Sequence, residues 1–563
     1  MTRRGRSASA SPRTRSAPST SPLDAIELQV VVGALRACCE EMGATLVRSA
    51  HSPNIKERRD CSSALFDPDG EMVMQAEHIP VHLGSMPAAV AAVRAHRQRD
   101  GVSWVLNDPF AGGTHLPDIT VVTPVFAPAS SPAAARVASE RGDSSPGGDS
   151  SPGGEDGPGQ GLLLGFAASR AHHADVGGRA PGSMPADSRT LADEGVVIPP
   201  QELTEEAIAR LAAQMRGPRE RRADLRAQLA ANATGGRRLR ELADRIGVQG
   251  LRAATRAVLD YAERRTRACI AALPDGVHEA RDVLEGVEGD LALRLRAVVD
   301  GERLTLDFSG SAPRHAGNLN CPLAVTLSAC WFAVRVLTDP DIPPSSGAYR
   351  PVDVVVPAGT LLHAKPAPGE PVPAVAAGNV ETSSRVADLV LRAFGRALGQ
   401  GTMNNLTLGN ADFTYYETIG GGQGGCPDAD GPSGVHVAMS NTLNTPVEAL
   451  ERELPLRVTQ YALRRDSGGA GAHRGGDGVI RELEALADID YSLIAERRRH
   501  GPPGAEGGRP GRPGRDTLLL ADGGAERLPG KAMGTLGAGE RLRIETPGGG
   551  GHGPPPGASE HQT

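Results

Sequence analysis

The chain has 563 residues, 39% of them hydrophobic and only 3% aromatic, with 71 glycines, 45 prolines and a formal net charge of −7. This length allows two or more subdomains, and the acidic balance disfavours a nucleic-acid-binding protein, which usually carries a basic surface. No apolar run approaches the roughly 20 residues that cross a bilayer, and no apolar segment follows the N-terminal arginines as a secretory signal requires.

The cysteines indicate a cytoplasmic protein. Seven are present, an odd number, and no Cys-x-x-Cys pair occurs. Disulfide frameworks and zinc–thiolate sites usually have paired, regularly spaced cysteines. We therefore expect reduced thiols at Cys38, Cys39, Cys61, Cys269, Cys321, Cys330 and Cys426.

The first quarter of the chain alternates between helix and strand patterns. Residues 1–22 are rich in Ser, Arg and Pro and are predicted to be disordered, because they offer little apolar surface to a core. Apolar residues at i, i+3 and i+4 spacing predict a helix from Leu23 to Ser49. Cys61–Phe66 and Glu71–Gln75 are predicted strands joined by an Asp-Pro-Asp-Gly turn. Pro87–Arg97 is Ala/Val-rich and predicts a further helix.

Three predicted strands follow, with an insertion between the second and third. The strands are Val102–Leu106, Ile119–Phe126 and Leu162–Ala168. The segment Ala127–Gln160 is rich in Ala, Ser, Pro and Gly and contains the hexapeptide Asp-Ser-Ser-Pro-Gly-Gly twice in succession. Such a composition buries too little apolar area to offset its ordering entropy. We expect a disordered surface insertion here.

A helical segment is predicted from Thr204 to Leu273. Thr204 is a suitable N-cap, and Glu205 and Glu206 suit the first helical turn. Pro218 and the pair Gly235–Gly236 are predicted to break the segment into four helices.

The remaining patterns complete the predicted fold class. Strands are predicted within 277–308, at Val352–Val356 and at several places after Gly401, including 434–446, and helices at Pro322–Thr338 and Glu381–Ala397. We therefore predict an α/β fold, more fully a mixed α+β chain of several subdomains, with mixed sheets. Its parts are a main catalytic region at 23–553, a central helical segment at 204–273, a β-rich C-terminal subdomain at 456–547 and a tail at 554–563.

Two short segments carry the densest candidate chemistry. NDPFAGGTHLPD at Asn107–Asp118 and SRAHHADVGG at Ser169–Gly178 each follow an apolar run and each contain His and Asp. Imidazole nitrogens and carboxylate oxygens suit divalent Mn, Fe or Zn. Taken alone, a His-x-x-Asp motif is usually a surface turn or a satisfied polar pair. Two such segments at the ends of consecutive strands favour one metal site, with candidate ligands His115, Asp118, and His172 or His173.

Asp60 is a further candidate ligand, with a simple Arg–Asp salt bridge as its alternative, because two arginines precede it. Cys61 beside it is a candidate nucleophile, although burial as a small apolar residue is the better interpretation.

GGGQGG at 420–425 satisfies Gly-x-Gly-x-x-Gly, but Cys-Pro-Asp follows where a dinucleotide fingerprint needs a helix. We find no P-loop and no Gly-x-Ser-x-Gly motif, so the sequence predicts no nucleotide site of its own.

A polar pocket is also conceivable from amide, hydroxyl and carboxyl side chains in the second half of the chain. Ordinary hydrogen bonding within Gly-rich turns explains them equally well. The residues are Asn379, Glu381, Thr382, Asn404, Asn405, Asn441 and Asn444.

Ten motifs in order resemble one known family. They are RRDCSSALFD, EHIPVHLGSMP, NDPFAGGTHLPD, RAHHADVGG, GNVETSSR, GTMNNLTLG, YYETIGGGQGG, NTLNTPVEALE, DSGGAGAHRGGDG and TPGGGGHG. Together they resemble the hydantoinase B/oxoprolinase family over roughly residues 25–553. The resemblance implies the large B-type subunit of an ATP-dependent cyclic amidase, such as N-methylhydantoinase or the C-terminal half of 5-oxoprolinase. The large subunit of acetone carboxylase is similar too.

The resemblance also implies a division of labour between two subunits. An A-type ATPase partner would bind ATP and phosphorylate a small cyclic amide such as 5-oxoproline or a hydantoin. The B-type chain would hold a divalent metal (Mn, Zn or Fe) and complete the hydrolysis, in a cytoplasmic hetero-oligomer. The implied catalytic and metal-binding residues are Asp60, His115, Asp118 and His172, with His173 as the alternative metal ligand. Two alternative functions are an acetone-carboxylase-type subunit and a non-catalytic scaffold.

Overall fold

The structure is a computed structural model that describes residues 24–77, 79–127 and 161–556. The predicted disordered N-terminus, all of the predicted insertion except Ala127, and residues 557–563 of the predicted tail lie outside the described residues. No helix in the part of the chain that is described has the length and apolar character needed to cross a membrane.

A six-stranded antiparallel sheet forms the first half of the protein, with the strand order β2-β1-β5-β4-β3-β6. Its strands are β1 (Cys61–Phe66), β2 (Met72–Glu77), β3 (Trp104–Leu106), β4 (Asp118–Phe126), β5 (Leu163–His172) and β6 (Gln201–Glu202). The predicted strands are thus present, with β5 extending four residues further than predicted. That extension carries the strand as far as His172.

Helices cover both faces of this sheet. The helices of this half are α1 (Ala25–Ser49), α2 (Pro53–Lys56), α3 (Met86–Arg94), α4 (Leu191–Glu194), α5 (Glu205–Ala212), α6 (Pro218–Ile246) and α7 (Val248–Ile270). α1, α6 and α7 bury apolar side chains against one face, and α3 packs on the other. Asp24 caps α1, accepting hydrogen bonds from two backbone amides while Glu27 completes a capping box. Thr204 caps α5 as predicted.

The predicted helix break at Gly235–Gly236 is wrong. α6 runs through both glycines, and the chain instead turns at Gly247, whose φ is 78°. The reason is packing: a Cβ built on Gly235 would lie 2.4 Å from Met42 Sδ of α1 and 3.1 Å from the Ala167 Cβ of β5. Glycine here lets α6 approach α1 and the sheet closely, so the predicted segment of four helices contains three.

The second half contains three smaller sheets. The first has the order β10-β9-β8-β7 and is mixed, because β9 and β10 are parallel. α8 and α10 share its apolar core. Its elements are β7 (Gly276–Glu285), β8 (Asp290–Asp300), β9 (Arg303–Asp307), β10 (Val352–Val355), α8 (Leu323–Leu337), α9 (Ser346–Tyr349) and α10 (Ser383–Ala393), the last preceded by a π-helical turn at Gly378–Thr382.

The C-terminal part is β-rich, as predicted, and holds two antiparallel sheets around a shared core. Their orders are β12-β11-β15-β18 and β13-β14-β19-β16-β17. The elements are β11 (Asn405–Gly409), β12 (Thr414–Glu417), α11 (Val447–Glu453), β13 (Leu456–Arg464), β14 (Gly478–Ala485), β15 (Ile489–Ile494), β16 (Arg515–Leu519), β17 (Ala525–Leu528), β18 (Lys531–Leu536) and β19 (Arg541–Glu545). The strand expected within 434–446 does not form in that described stretch; Val435 makes only an isolated bridge to Gly421. The mixed α/β class with several sheets is confirmed.

The two glycines of α6 give a matched test of its packing. Gly235→Ala should lower the free energy of unfolding by about 1–3 kcal/mol, because the added methyl overpacks the contact with Met42. Gly236→Ala should raise it by up to about 1 kcal/mol, because a helix interior prefers Ala and the nearest atom to its Cβ is 3.5 Å away. Chemical denaturation measures both, and equal effects of the two substitutions would contradict close packing at Gly235.

Candidate metal centre

Strands β4 and β5 bring the two predicted motifs together. Asp118 is the first residue of β4 and His172 the last of β5, and they stand opposite each other in the antiparallel ladder. Residues paired in this way project side chains to the same face of the sheet. The preceding turn folds back, with Asp118 N donating to His115 O, and sets His115 Nε2 3.3 Å from Asp118 Oδ1.

His115, Asp118 and His172 form a buried cluster suited to a metal ion. One ligand atom from each lies within 4.8 Å of the others, and all three side chains are buried. Neither ring nitrogen of His115 makes a hydrogen bond with a described residue, and neither does His172 Nε2. Buried polar atoms without partners are costly and rare in native proteins. A bound cation would satisfy one nitrogen of each ring, so the residues present fit a divalent metal.

The charge states of His172 and Asp118 match those of metal ligands. Burial, with His115 as a second cause, holds the pKa of His172 well below its usual range, so its imidazole is neutral. Burial alone would raise the pKa of Asp118, but His115 and His82 outweigh burial and hold it well below its usual range. Neutral imidazoles and an ionised carboxylate are the forms that coordinate divalent metals.

Further side chains hold two of the candidate ligands, Asp118 and His172, in place. Thr114 Oγ1 donates to Asp118 Oδ2 at 2.6 Å. His82 Nε2 lies 3.5 Å from the same oxygen, and its Nδ1 is 2.9 Å from Ser62 Oγ. The Asn54 amide lies 3.2 Å from His172 Nδ1. The Asn54 atom nearest to Nδ1 is Nδ2. Turning the amide by 180° would place its oxygen there instead, where it would accept from Nδ1–H and leave the Nε2 lone pair free for a metal, the arrangement usual for histidine ligands.

A residue from the C-terminal half closes the site. The Tyr416 ring of β12 stacks on the His172 imidazole, with centroids 4.4 Å apart and planes 9° apart. Arg58 donates to the Tyr416 carbonyl at 2.6 Å, and its guanidinium lies 4.7 Å from the ring centroid. Tyr416 OH donates to Asn405 Oδ1, and Asn405 Nδ2 donates to Glu381 Oε1. The C-terminal sheets therefore position the His172 ring.

The structure separates the two adjacent histidines. His173 follows the end of β5, and its Nε2 lies 3.0 Å from Gln228 Oε1 on α6. His173 does not belong to the cluster of His115, Asp118 and His172. This placement favours His172 as the ligand, while the ligand assignment itself stays a prediction.

Asp60 lies beside the cluster without belonging to it. Its carbonyl accepts from the His172 backbone amide at 3.0 Å, and its side chain is buried. Burial and the neighbouring Asp118 raise the pKa of Asp60 to about 7. No ion pair within 4 Å joins it to Arg58 or Arg59 among the described residues, so the simple salt bridge that was its alternative does not form.

Several supporting residues are not evident from the sequence. His82 lies on a short 3₁₀ turn at Pro80–His82 between β2 and α3, where the sequence shows only that it is near the hairpin. In the sequence, the one signal of this turn is Pro80, two residues before His82. Tyr416 lies about 240 residues further along the chain than His172, and no local pattern links the two.

The competing motifs have structural roles. Burial raises the pKa of the Cys61 thiol, which disfavours a nucleophile. The glycines at 420–425 lie against two other glycine-rich segments: Gly422 N donates to Pro547 O, and a Cβ on Gly422 would lie 2.0 Å from Gly476 O.

The residues of the conceivable polar pocket hydrogen-bond to different partners. Asn405 donates to Glu381. Asn404 donates to Gln400 and accepts from Arg498.

The fold and the site define a class: a mixed α/β protein with a buried His–Asp–His arrangement at the ends of two paired strands. The sequence profile of the family "Hydantoinase B/oxoprolinase" matches residues 24–555. The chain belongs to the hydantoinase B/oxoprolinase family, as its motifs predicted.

Several known proteins are similar to this chain in sequence or in structure. 5-Oxoprolinase 1 of Arabidopsis thaliana is 38% identical over 94% of this chain, although the match covers only 42% of that protein. The putative B-type subunit of a D-/L-hydantoinase from a Pseudomonas species is 28% identical, over 95% of this chain and 90% of its own length. The crystal structure of ATP-dependent caprolactamase from Pseudomonas jessenii superposes with a TM-score of 0.81 at 27% identity, covering 96% of this chain and 93% of that one. The chain thus spans about two fifths of the plant relative.

The adjacent histidines provide a direct test of the metal centre. Saturating Mn²⁺ or Zn²⁺, at about 100 times its Kd, should raise the unfolding free energy by about 2.7 kcal/mol relative to EDTA-treated protein. His172→Gln should abolish this difference, and His173→Gln, the matched control, should keep it. Thermal unfolding with and without EDTA measures both variants. Loss of the metal effect in His173→Gln with retention in His172→Gln would reverse the assignment.

Proposed function

We propose that this chain is the B-type subunit of an ATP-dependent cyclic amidase, which hydrolyses 5-oxoproline, a hydantoin or a related lactam or imide. The observation that carries the proposal is the buried cluster of His115, Asp118 and His172, in which both ring nitrogens of His115 and Nε2 of His172 lack hydrogen-bond partners among the described residues. The family, and relatives named for 5-oxoprolinase and hydantoinase activities, support the reaction class.

The cluster supplies the site for the hydrolytic half of this reaction. A divalent metal, when bound, lowers the pKa of a water and polarises a carbonyl or phosphoryl oxygen. His115, Asp118 and His172 would hold it, and the neighbours of Asp118, Thr114 and His82, fix the carboxylate orientation. The burial of all three side chains limits bulk water, which strengthens electrostatic interactions within the site.

Asp60 has a proposed role next to this cluster. Two carboxyl groups, those of Asp60 and Asp118, are buried close enough for the charge of Asp118 to raise the pKa of Asp60. A cation between or beside them would offset this repulsion. We therefore retain Asp60 as a candidate ligand and catalytic residue.

An A-type ATPase partner is part of the proposal. A lactam is a poor electrophile, and ATP-dependent phosphorylation of its oxygen would create a leaving group before hydrolysis. The present chain shows no P-loop or dinucleotide motif, and it corresponds to only 42% of 5-oxoprolinase 1. The name of the Pseudomonas relative describes one subunit of an enzyme, which supports a separate partner chain. ATP would therefore enter through that partner.

Reconstitution tests this function. The purified chain alone should hydrolyse neither ATP nor 5-oxoproline, and its complex with an A-type subunit should do both. In that complex, His115→Ala should lower the rate of ring opening about 100-fold or more, equivalent to at least about 2.7 kcal/mol of transition-state stabilisation. His173→Gln serves as the control and should retain most activity.

Three outcomes would contradict the proposal in distinguishable ways. Robust ATP turnover by the chain alone would remove the need for a partner. Bicarbonate-dependent product formation would indicate an acetone-carboxylase-type subunit. Undiminished ring opening by a His115→Ala complex that contains no metal would indicate a non-catalytic scaffold.

A further inference from the structure

A buried carboxyl group is connected to the candidate metal centre by two hydrogen bonds and one ring contact. Glu381 lies on the π-helical turn that precedes α10, and its side chain is fully buried. Its Oε1 accepts a hydrogen bond of 2.9 Å from Asn405 Nδ2 of β11. Asn405 Oδ1 accepts one of 2.8 Å from the Tyr416 hydroxyl of β12, whose ring stacks on His172. We call Glu381, Asn405 and Tyr416 the Glu381 network.

The surroundings fix the direction of the hydrogen bonds in the Glu381 network. Asn405 Nδ2 also donates to the Ile494 carbonyl, at 3.2 Å. Turning the Asn405 amide by 180° would bring its oxygen against that carbonyl, and two acceptors would then face each other. Asn405 therefore presents its oxygen to Tyr416, and the Tyr416 hydroxyl must donate. Glu381 Oε1 is the acceptor at the other end, and it also accepts from the Met403 amide at 3.1 Å.

The ring contact transmits this restraint to a candidate ligand. The ring planes of Tyr416 and His172 are 9° apart, their centroids are 4.4 Å apart, and both side chains are buried. In a close-packed interior, the imidazole cannot turn about its Cβ–Cγ bond without displacing the tyrosine ring. A metal–imidazole bond requires a ring nitrogen lone pair that points at the ion, so ring orientation affects metal affinity.

The π-helical turn holds Glu381 rigidly. Thr382 Oγ1, next to it, donates to the Leu319 carbonyl at 2.7 Å. Gly378 at the start of the turn packs against the following residue of that segment, because an added Cβ would lie 1.7 Å from Asn320 O. Turns of this kind are rare and are found frequently at functional sites. The position of the carboxyl group is therefore set by packing on both sides.

A carboxyl group is a costly choice at this position. Burial, together with the carboxylate of Glu496, raises the pKa of Glu381 to about 7. Glu496 is itself paired with Lys531 of β18 and Arg385 of α10. Lys531 and the Thr402 hydroxyl offset the cost to Glu381 only in part. Carboxyl groups in such surroundings are concentrated at functional sites, because folding alone gains nothing from the repulsion.

We propose that Glu381 is a positioning residue of the candidate metal centre. It acts through Asn405 and Tyr416, which hold the His172 ring in the orientation that binds a divalent metal. This inference rests on the proposed function, since it takes His172 as a ligand. It goes further by assigning a role to a residue more than 200 positions away in the chain, on a turn that supplies no candidate ligand.

Co²⁺ binding to the full chain tests this role without any measurement of catalysis. The visible absorption of bound Co²⁺ reports the geometry of its ligands, and calorimetry gives its Kd. Glu381→Leu removes the acceptor of the Glu381 network, so it should weaken Co²⁺ binding about tenfold or more and shift the absorption band. Glu381→Gln keeps an acceptor oxygen but loses the charge, so its Kd should stay within about threefold, with an unchanged spectrum.

Two adjacent tyrosines provide a matched pair at the other end of the Glu381 network. Tyr416→Phe keeps the stacked ring but removes the hydroxyl that donates to Asn405, so it should weaken Co²⁺ binding about tenfold and reproduce the spectral shift. Tyr415→Phe makes the same chemical change on the opposite face of β12, in the core of the C-terminal sheets, and should change neither.

A double variant shows whether the two residues act together. Glu381→Leu and Tyr416→Phe interrupt the same connection, so the combined loss of affinity should not exceed the larger single loss. Losses that multiply would overturn the proposal, as would an equal effect of Tyr415→Phe. If Glu381→Leu fails to fold, Tyr416→Phe still decides, because an unchanged Kd and spectrum in that variant would overturn the proposal.

The outcome for the proposed function can be distinguished from this one. If Co²⁺ binding depends on the Glu381 network as described, but the complex with an A-type subunit opens no cyclic amide, the positioning role stands and the proposed function fails. If the unaltered chain binds no Co²⁺ through His172, both fail.

Discussion

The antiparallel pairing of Asp118 with His172 is the constraint on which the candidate metal centre depends. Because these residues are opposite each other at one end of β4 and β5, their side chains share a face of the sheet. The turn before β4 then brings His115 to the same point. The pairing also determines what His173 does, since its ring lies against Gln228 of α6. A slip of β5 by one residue would place His173 opposite Asp118 instead of His172. The register of β5 on β4 therefore decides which histidine joins the candidate metal centre.

The need to satisfy buried polar and charged side chains explains why residues from both halves of the chain surround the three candidate ligands. Ionised carboxylates and neutral imidazoles in a dry interior need partners that the backbone of two strands cannot supply. Thr114 and His82 come from the first half of the chain, whereas Tyr416 comes from the C-terminal sheets and stacks on His172. Arg58 joins the halves through its hydrogen bond to the Tyr416 carbonyl. The site therefore needs both halves to be folded, although its three candidate ligands come from fewer than 60 consecutive residues.

The sequence predicted those features that depend on local pattern. The strand-end motifs, the N-cap Thr204 and the fold class follow from periodicity, capping chemistry and strand signals, and the family was recognisable from ordered motifs. Features that depend on packing were missed. The sequence predicts a helix break at Gly235 because glycine is a poor helix former, yet in the structure this glycine allows the close approach of α6 to Met42. The choice between His172 and His173 depends on where β5 ends, and the role of Tyr416 depends on a contact distant in sequence, so neither could be decided from a local pattern.

Anomalous X-ray diffraction from a crystal of the Mn²⁺-loaded chain, recorded on both sides of the manganese absorption edge, tests the central claim most directly. The account predicts a strong anomalous peak at the end of β4 and β5, bonded to imidazole nitrogens of His115 and His172 and to a carboxylate oxygen of Asp118. A position beside Asp60 would also show whether that carboxylate completes the ligand set. Manganese bound only elsewhere, or an anomalous map with no peak among these three side chains, would contradict the account.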